Sequence, residues 1–191
     1  VKSVAIKIRP IKTVEEYRDC EAIQKQVWQF ADREIVPINE LITIQRTGGL
    51  VLGAFISKSV KSVAMVGFAF GFAGLQDGKL IHSSRMLAVL PGYRNYDIGY
   101  RLKLAQRAFA LKQGIKLATW TFDPLQSRNA FFNIAKLGVI VRRYFVNLYG
   151  MSSSVLNKGV PTDRFLAEWA IDSRRVKQKL TRKLQIADCR L

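Results

Sequence analysis

Histidine is almost absent from this 191-residue sequence, with His82 the only one. That excludes a histidine-rich metal site and any mechanism that needs a pair of imidazoles. Cysteine occurs twice, at Cys20 and Cys189, which is too few for a disulfide framework. The scarcity fits a reducing compartment, and the cytoplasm is the expected location. Acidic residues are also few: 14 Asp+Glu stand against 31 Lys+Arg, leaving a formal net charge of +17. Long apolar runs are missing. The most apolar stretch, Ser62 to Leu75, falls short of the roughly 20 residues a membrane-spanning helix needs. Gly67, Gly71 and Gly74 punctuate it, as in a buried strand with close neighbours. The first ten residues, VKSVAIKIRP, lack the apolar core of a signal peptide. Neither G-x-x-x-x-G-K-[ST] nor G-x-G-x-x-G occurs, so the common nucleotide-binding loops are absent.

What is present is a core. Hydrophobic residues make up 49% and aromatic residues 10%, which excludes disorder for most of the chain. The length suits one domain, expected over 1–172, with a basic helical extension over 173–191. The extension carries seven Lys+Arg against Asp188, a net of +6, so the preceding residues carry +11. Charge of this size suits a nucleic-acid partner, a polyanionic small molecule or a merely solvated surface. The extension has no aromatic residue to stack on bases, which counts against nucleic acid.

Periodicity gives the element order. Val4 to Arg9 alternates apolar and basic, as a half-buried strand does. Thr13 and Glu16 form a capping box for a helix that runs to about Phe30. A second helix starts after Pro37 and stops at Gly48-Gly49. Strands are expected over 50–57, 63–74 and 80–90, the last two joined by an Asp77-Gly78 turn. A helix follows, with Ile98, Leu102, Ala105, Ala108, Phe109 and Lys112 on or beside one stripe and Gly114 as its stop. Then come a strand over 115–122, a helix over 127–137, and strands over 139–149 and 163–171. This β-α-α-β-β-β-α-β-α-β-β order describes one mixed sheet with helices on both faces.

The segment from Met86 to Leu102 runs from a strand through a short loop into a helix. Unpaired amides and the helix dipole make such a helix start a site for a phosphate or pyrophosphate. Arg94 and Arg101 add positive charge there.

This segment resembles the acyl-CoA-binding motif of the GNAT superfamily of N-acyltransferases. Val89-Leu90-Pro91 is followed by Arg94-Asn95-Tyr96-Asp97-Ile98-Gly99, similar to the R/Q-x-x-G-x-G/A of that family. A second motif is matched by Ala130 and by Lys136-Leu137-Gly138-Val139. The resemblance covers about residues 5–150. Three longer stretches, TWTFDPLQSRNAFFN, LNKG and PTDRFLAEW, resemble an uncharacterised branch of it. It implies an α/β (α+β) fold: a mixed, mostly antiparallel sheet of about seven strands flanked by helices and splayed between the fourth and fifth. It also implies acetyl-CoA or another acyl-CoA as cosubstrate and no metal. Leu87, Ala88 and Val89 would hold the pantetheine arm. The amides of Arg94, Asn95, Tyr96, Asp97, Ile98, Gly99 and Tyr100 would hold the pyrophosphate. Asn129 and Arg128 would touch the cofactor or its acyl chain. A backbone N–H near Leu87 would polarise the thioester carbonyl.

Two departures stand out. Asp97 occupies a position where the family has glycine, which predicts weaker CoA affinity. Ile134 occupies the position of the family's usual acid, a tyrosine. The base candidates are Glu40, His82 and Asp123, the last also a turn-capping residue before Pro124. Tyr144 and Tyr149 are substitutes for the acid, and Arg164 for a carboxylate-binding group. The implied acceptor is a small-molecule amine or an amino acid, the acyl group acetyl or a larger one such as succinyl, and a homodimer is an open arrangement. The competing readings are a nucleic-acid-binding module and a degenerate CoA-binding or structural member of the family.

Overall fold

The computed structural model of the protein describes residues 5–59, 62–155 and 159–188. In chain order the elements are β1 (Ile6–Pro10), α1 (Val14–Trp28), α2 (Ile38–Arg46), β2 (Leu50–Ser59), β3 (Ser62–Gln76), β4 (Lys79–Val89), α3 (Ile98–Lys112), β5 (Leu117–Phe122), α4 (Ser127–Ala130), β6 (Ile140–Phe145), β7 (Arg164–Ala170) and α5 (Arg174–Asp188). The seven strands form one sheet in the order β1-β2-β3-β4-β5-β7-β6. β4 and β5 pair in parallel, with His82 against Ala118 and Ser83 against Thr119. The pairs β1–β2, β2–β3, β5–β7 and β6–β7 are antiparallel. The mixed, mostly antiparallel sheet expected from the sequence is therefore present.

The chain divides into two compact units. The first comprises residues 1–73, 84–109 and 153–158. Its α1 begins as the sequence predicts, with the Glu16 amide donating to Thr13 Oγ1 at 3.3 Å. The box closes one residue early, because Glu16 accepts from the Lys12 amide (2.8 Å) and grips the Arg9 guanidinium at 2.6 and 3.0 Å. Gln24, fully buried, exchanges two hydrogen bonds with the Val36 backbone and fixes the α1–α2 connection. Apolar residues fill both faces of β2 and β3. Ile11, Cys20, Ile23, Leu41, Phe68 and Phe70 pack with α1 and α2, while Leu52, Ala54, Val66, Val89, Ile98 and Leu102 pack with α3. Burial pushes the Cys20 thiol far above its ordinary range, so it is an inert core group. Gly67 lets two strands approach, since a Cβ there would stand 2.7 Å from the Ala88 carbonyl oxygen.

The second unit comprises residues 74–83, 110–152 and 159–191. Its core centres on Trp169, which is 1% exposed and donates from Nε1 to the Leu137 carbonyl at 2.8 Å. Trp120 meets it edge-on, and Val176 and Leu180 of α5 are buried.

Several boundaries differ from the sequence reading. The strand expected over 139–149 ends at Phe145, because Asn147 adopts φ 47° and the chain turns. Asp163 Oδ1 accepts from the Asn147 amide, and Asn147 Oδ1 accepts from the Thr162 amide, which fixes that turn. The helix expected over 127–137 is α-helical only through Ala130 and continues as a π-helical segment, Phe131–Lys136. The first helix ends at Trp28, with Gln29 left-handed at φ 52°. The expected start of the first strand, Val4, lies outside the described residues, as do Leu156, Asn157 and Lys158 of LNKG.

Candidate active site

The segment that carries the resemblance lies in the first unit, and the geometry of β4 distinguishes it. Along a regular strand, side chains alternate between faces, so residues three apart point to opposite sides. Ser84 and Leu87 break that rule. Ser84 Oγ accepts from Lys103 Nζ of α3 at 2.8 Å. Leu87 Cδ2 lies 3.5 Å from the place of a Cβ on Gly99, also on α3. Met86 and Ala88 point the other way, into the α1–α2 cluster. One extra residue is therefore accommodated at Arg85-Met86, which is a β-bulge. Bulges leave backbone groups outside the ladder and re-aim the residues beside them.

Beyond β4 the chain makes a 3₁₀ turn, Pro91–Tyr96, before α3 begins at Ile98. Arg94 folds back and donates from Nε to the Val89 carbonyl at 3.3 Å. Asn95, Tyr96 and Asp97 are exposed, whereas Ile98 and Tyr100 are buried side chains of the core, so any role for these two in anion binding falls to their amides. Burial and the charge of Asp97 raise the Tyr100 hydroxyl above its ordinary range. Asp97 stands at φ 53°, ψ 21°. This left-handed conformation is the reason a glycine suits the position, and aspartate tolerates it better than most side chains. Arg101 does not stand beside the loop as the sequence suggests, because its guanidinium donates to the Ile6 carbonyl of β1.

The buried face of α3 also departs from the sequence reading. Ile98, Leu102 and Ala110 are buried, but so are Lys103 and Gln106, while Ala108 and Lys112 are exposed. Lys103 is 4% exposed, and burial pushes its ammonium down to about 7. Ser84 Oγ, which accepts from it, donates onward to Gln106 Oε1 at 3.1 Å. Gln106 Nε2 is buried with no hydrogen-bond partner. The sequence signal for this cluster was faint, since a lysine on an amphipathic helix reads as a solvated residue.

The remaining candidates stand on several elements and turns of the chain. Glu40 is exposed in the first turn of α2. His82, in the second unit, is 1% exposed. It lies beside Ala118, which pairs with Trp169, so these three share one sheet face. Ser83, Thr119 and Glu168 share the opposite face, where Glu168 pairs with Arg142. Tyr144 is exposed and hydrogen-bonds Asp163, a contact that raises the phenol and lowers the carboxyl relative to their ordinary values. Tyr149 and Thr121 share a hydroxyl hydrogen bond of 2.8 Å. Arg164 lies over the Tyr149 ring at 5.6 Å. Asp123 accepts from the Leu125 amide at 2.8 Å and so has the turn-capping geometry. Arg128 and Asn129 are exposed on α4, where Asn129 Oδ1 accepts weakly (3.4 Å) from Asn133, and Ile134 is exposed on the π segment. Among the described residues, no group of three or more His, Cys, Asp or Glu is placed to hold a metal ion, and no helix is long and apolar enough to cross a membrane.

No family model matches the sequence, and no curated protein matches it. Solved structures do match by shape. The NatC complex bound to Gag peptide and CoA superimposes with a TM-score of 0.67 at 16% identity, covering 86% of this chain and 98% of that one. The ribosomal-protein-S18-alanine N-acetyltransferase from Escherichia coli gives 0.64 at 14% identity, covering 88% and 96%. An acetyltransferase of the GNAT family from Streptococcus pneumoniae gives 0.65 at 13% identity, covering 86% and 98%. At these identities the likeness speaks for the fold. The seven-stranded, mostly antiparallel sheet, its parallel β4–β5 pair and the flanking helices agree with it: the chain has the fold of the GNAT acetyltransferases.

Proposed function

We propose that the protein transfers an acyl group from an acyl-CoA to an amine of a small molecule or amino acid. The observation that carries this reading is the bulge at Arg85-Met86, immediately before the strand-to-helix turn. On this reading the bulge leaves the Leu87 N–H outside the ladder, and a donor so placed stabilises the oxyanion that forms when an amine attacks the thioester carbonyl. Preorganised donors of this kind are worth roughly 3–4 kcal/mol. The amides from Arg94 to Tyr100 receive the pyrophosphate at the start of α3, where the helix dipole favours an anion. Arg94 supports that site with positive charge. Asn129 of α4 is the further cofactor contact.

The acyl group moves in one direct attack: the amine nitrogen forms the C–N bond, the C–S bond breaks, and the thiolate leaves. The attacking ammonium first gives up a proton. Glu40 and His82 are the acceptors for it, and Glu40 is the more exposed of the two. Tyr144 supplies a proton to the thiolate. Acetyl and succinyl are the acyl groups to test. A peptide N-terminus is the second acceptor reading. It is favoured by the neighbour bound to Gag peptide and by Arabidopsis thaliana Naa50 in complex with the bisubstrate analogue CoA-Ac-MVNAL, which matches with a TM-score of 0.64.

The test is thiol release from acetyl-CoA and succinyl-CoA against a panel of amines, amino acids and short peptides. Acceptor-dependent release is expected. Saturable CoA binding with no release against any acceptor would contradict the transferase reading and leave a binding protein.

A further inference from the structure

We propose that Lys103, Ser84 and Gln106 are positioning residues that impose the β4 bulge and thereby aim the Leu87 N–H at the thioester. This rests on the acyltransferase reading above.

The argument begins with two anchor points. Ser84 is tied to the second and third turns of α3, through Lys103 Nζ at 2.8 Å and Gln106 Oε1 at 3.1 Å. Leu87 rests on the first turn, against Gly99. Gly99, Lys103 and Gln106 are spaced four and three apart, so they share one helix face. Both anchors therefore hold β4 to the same face of the same helix. They are three residues apart, an odd number, which a regular strand cannot satisfy. The polar anchor and the apolar anchor together force the extra residue at Arg85-Met86.

The polar anchor is also a costly choice for packing alone. Ile98 and Leu102 on the same helix and Leu87 and Val89 on the same strand belong to an apolar cluster, and Lys103 itself is buried, so an aliphatic side chain at 103 would suit the burial. Instead the site holds an ammonium whose protonation burial disfavours, with Gln106 Nε2 buried and unpartnered beside it. Its directional bonds supply something that apolar contact lacks. The chain of donors runs from Lys103 to Ser84 to Gln106, so the position of Ser84 along the helix is specified, and with it the register of the strand on that side of the bulge.

The test compares the wild type with Lys103→Met, Ser84→Ala and Ser84→Thr. Backbone amide resonances of Arg85, Met86 and Leu87 are followed in the protein without ligand, and acetyl-CoA binding and thiol release with the acceptor from the screen are measured alongside. In K103M and S84A the three resonances are expected to move while those of β1 and β2 stay. Turnover falls roughly 10- to 100-fold, the cost of a displaced reacting group. The KM for acetyl-CoA changes less than twofold. K103M is at least as heat-stable as the wild type, so lost activity cannot be put down to lost folding. S84T keeps the hydroxyl and restores most of the turnover. Variants whose resonances and turnover match the wild type overturn this role alone. A wild type that neither binds nor consumes acetyl-CoA overturns the acyltransferase reading, and this role with it.

Discussion

Each compact unit buries a polar group in its core, and the two are handled differently. In the second unit the Trp169 indole donates to the Leu137 carbonyl, and aromatic rings close around it. The polar atom is satisfied at no cost in charge, and a large apolar surface is buried with it. In the first unit, apart from the satisfied Gln24, the buried polar group on α3 is the Lys103 amine, next to an amide nitrogen of Gln106 that has no partner. One arrangement serves the fold. The other costs stability beside the one distorted stretch of β4. The contrast sets the β4–α3 seam of the first unit apart, because a buried amine, an unpartnered amide nitrogen and the irregular stretch of β4 lie together there.

The largest effect should come from the satisfied group. Trp169→Ala leaves a cavity and strands the Leu137 carbonyl, and should cost about 3–5 kcal/mol in denaturant unfolding. A loss below about 1 kcal/mol would erase the contrast. The opposite sign is expected for K103M, whose unfolding free energy should rise. Its pH dependence sharpens the point. The Lys103 ammonium has an ordinary value of 10.5 and is pushed down to about 7 in the folded protein. Between these values the unfolded chain binds more protons than the folded one, so stability from this group increases as pH rises from about 7 towards 10.5. The full cost is present below about 7, and at most about 5 kcal/mol is involved at ~1.4 kcal/mol per pH unit. Unfolding curves of wild type and K103M at several pH values should converge at the alkaline end. Parallel curves would show that the amine is not the source.

The smallest effect concerns the turn. Asp97 is held left-handed at φ 53°. Asp97→Gly should raise stability by about 1 kcal/mol by relieving that conformation and should tighten acetyl-CoA binding by removing a carboxylate from the anion site. Unchanged or weaker binding, measured by titration, would show that Asp97 does not oppose the pyrophosphate.

Much of this was legible in the sequence. Alternation, capping residues and glycine stops placed the strands and helices, and the two motifs at their spacing anticipated the fold. What escaped was tertiary. The stripe read on α3 included Ala108 and Lys112, yet the helix buries Lys103 and Gln106, because Ser84 on β4 supplies hydrogen bonds that no local pattern records. The resemblance marks position 97 as a glycine site, and the backbone adds a conformational reason that the sequence does not carry, a left-handed φ of 53°. The strand expected to run through Tyr149 stops at Phe145, because Asp163 and Thr162, distant in sequence, hold Asn147 in a turn. Arg101 was assigned to the anion loop on sequence proximity, and a carbonyl of β1 takes it elsewhere.

The central claim is that the β4–α3 segment receives an acyl-CoA. Calorimetric titration of acetyl-CoA into the wild type and into Arg94→Glu tests it most directly. The account predicts saturable one-to-one binding to the wild type, weakened about tenfold or more by the reversed charge, a change of at least ~1.4 kcal/mol. Equal affinity of the two proteins, or no binding to the wild type, would contradict it.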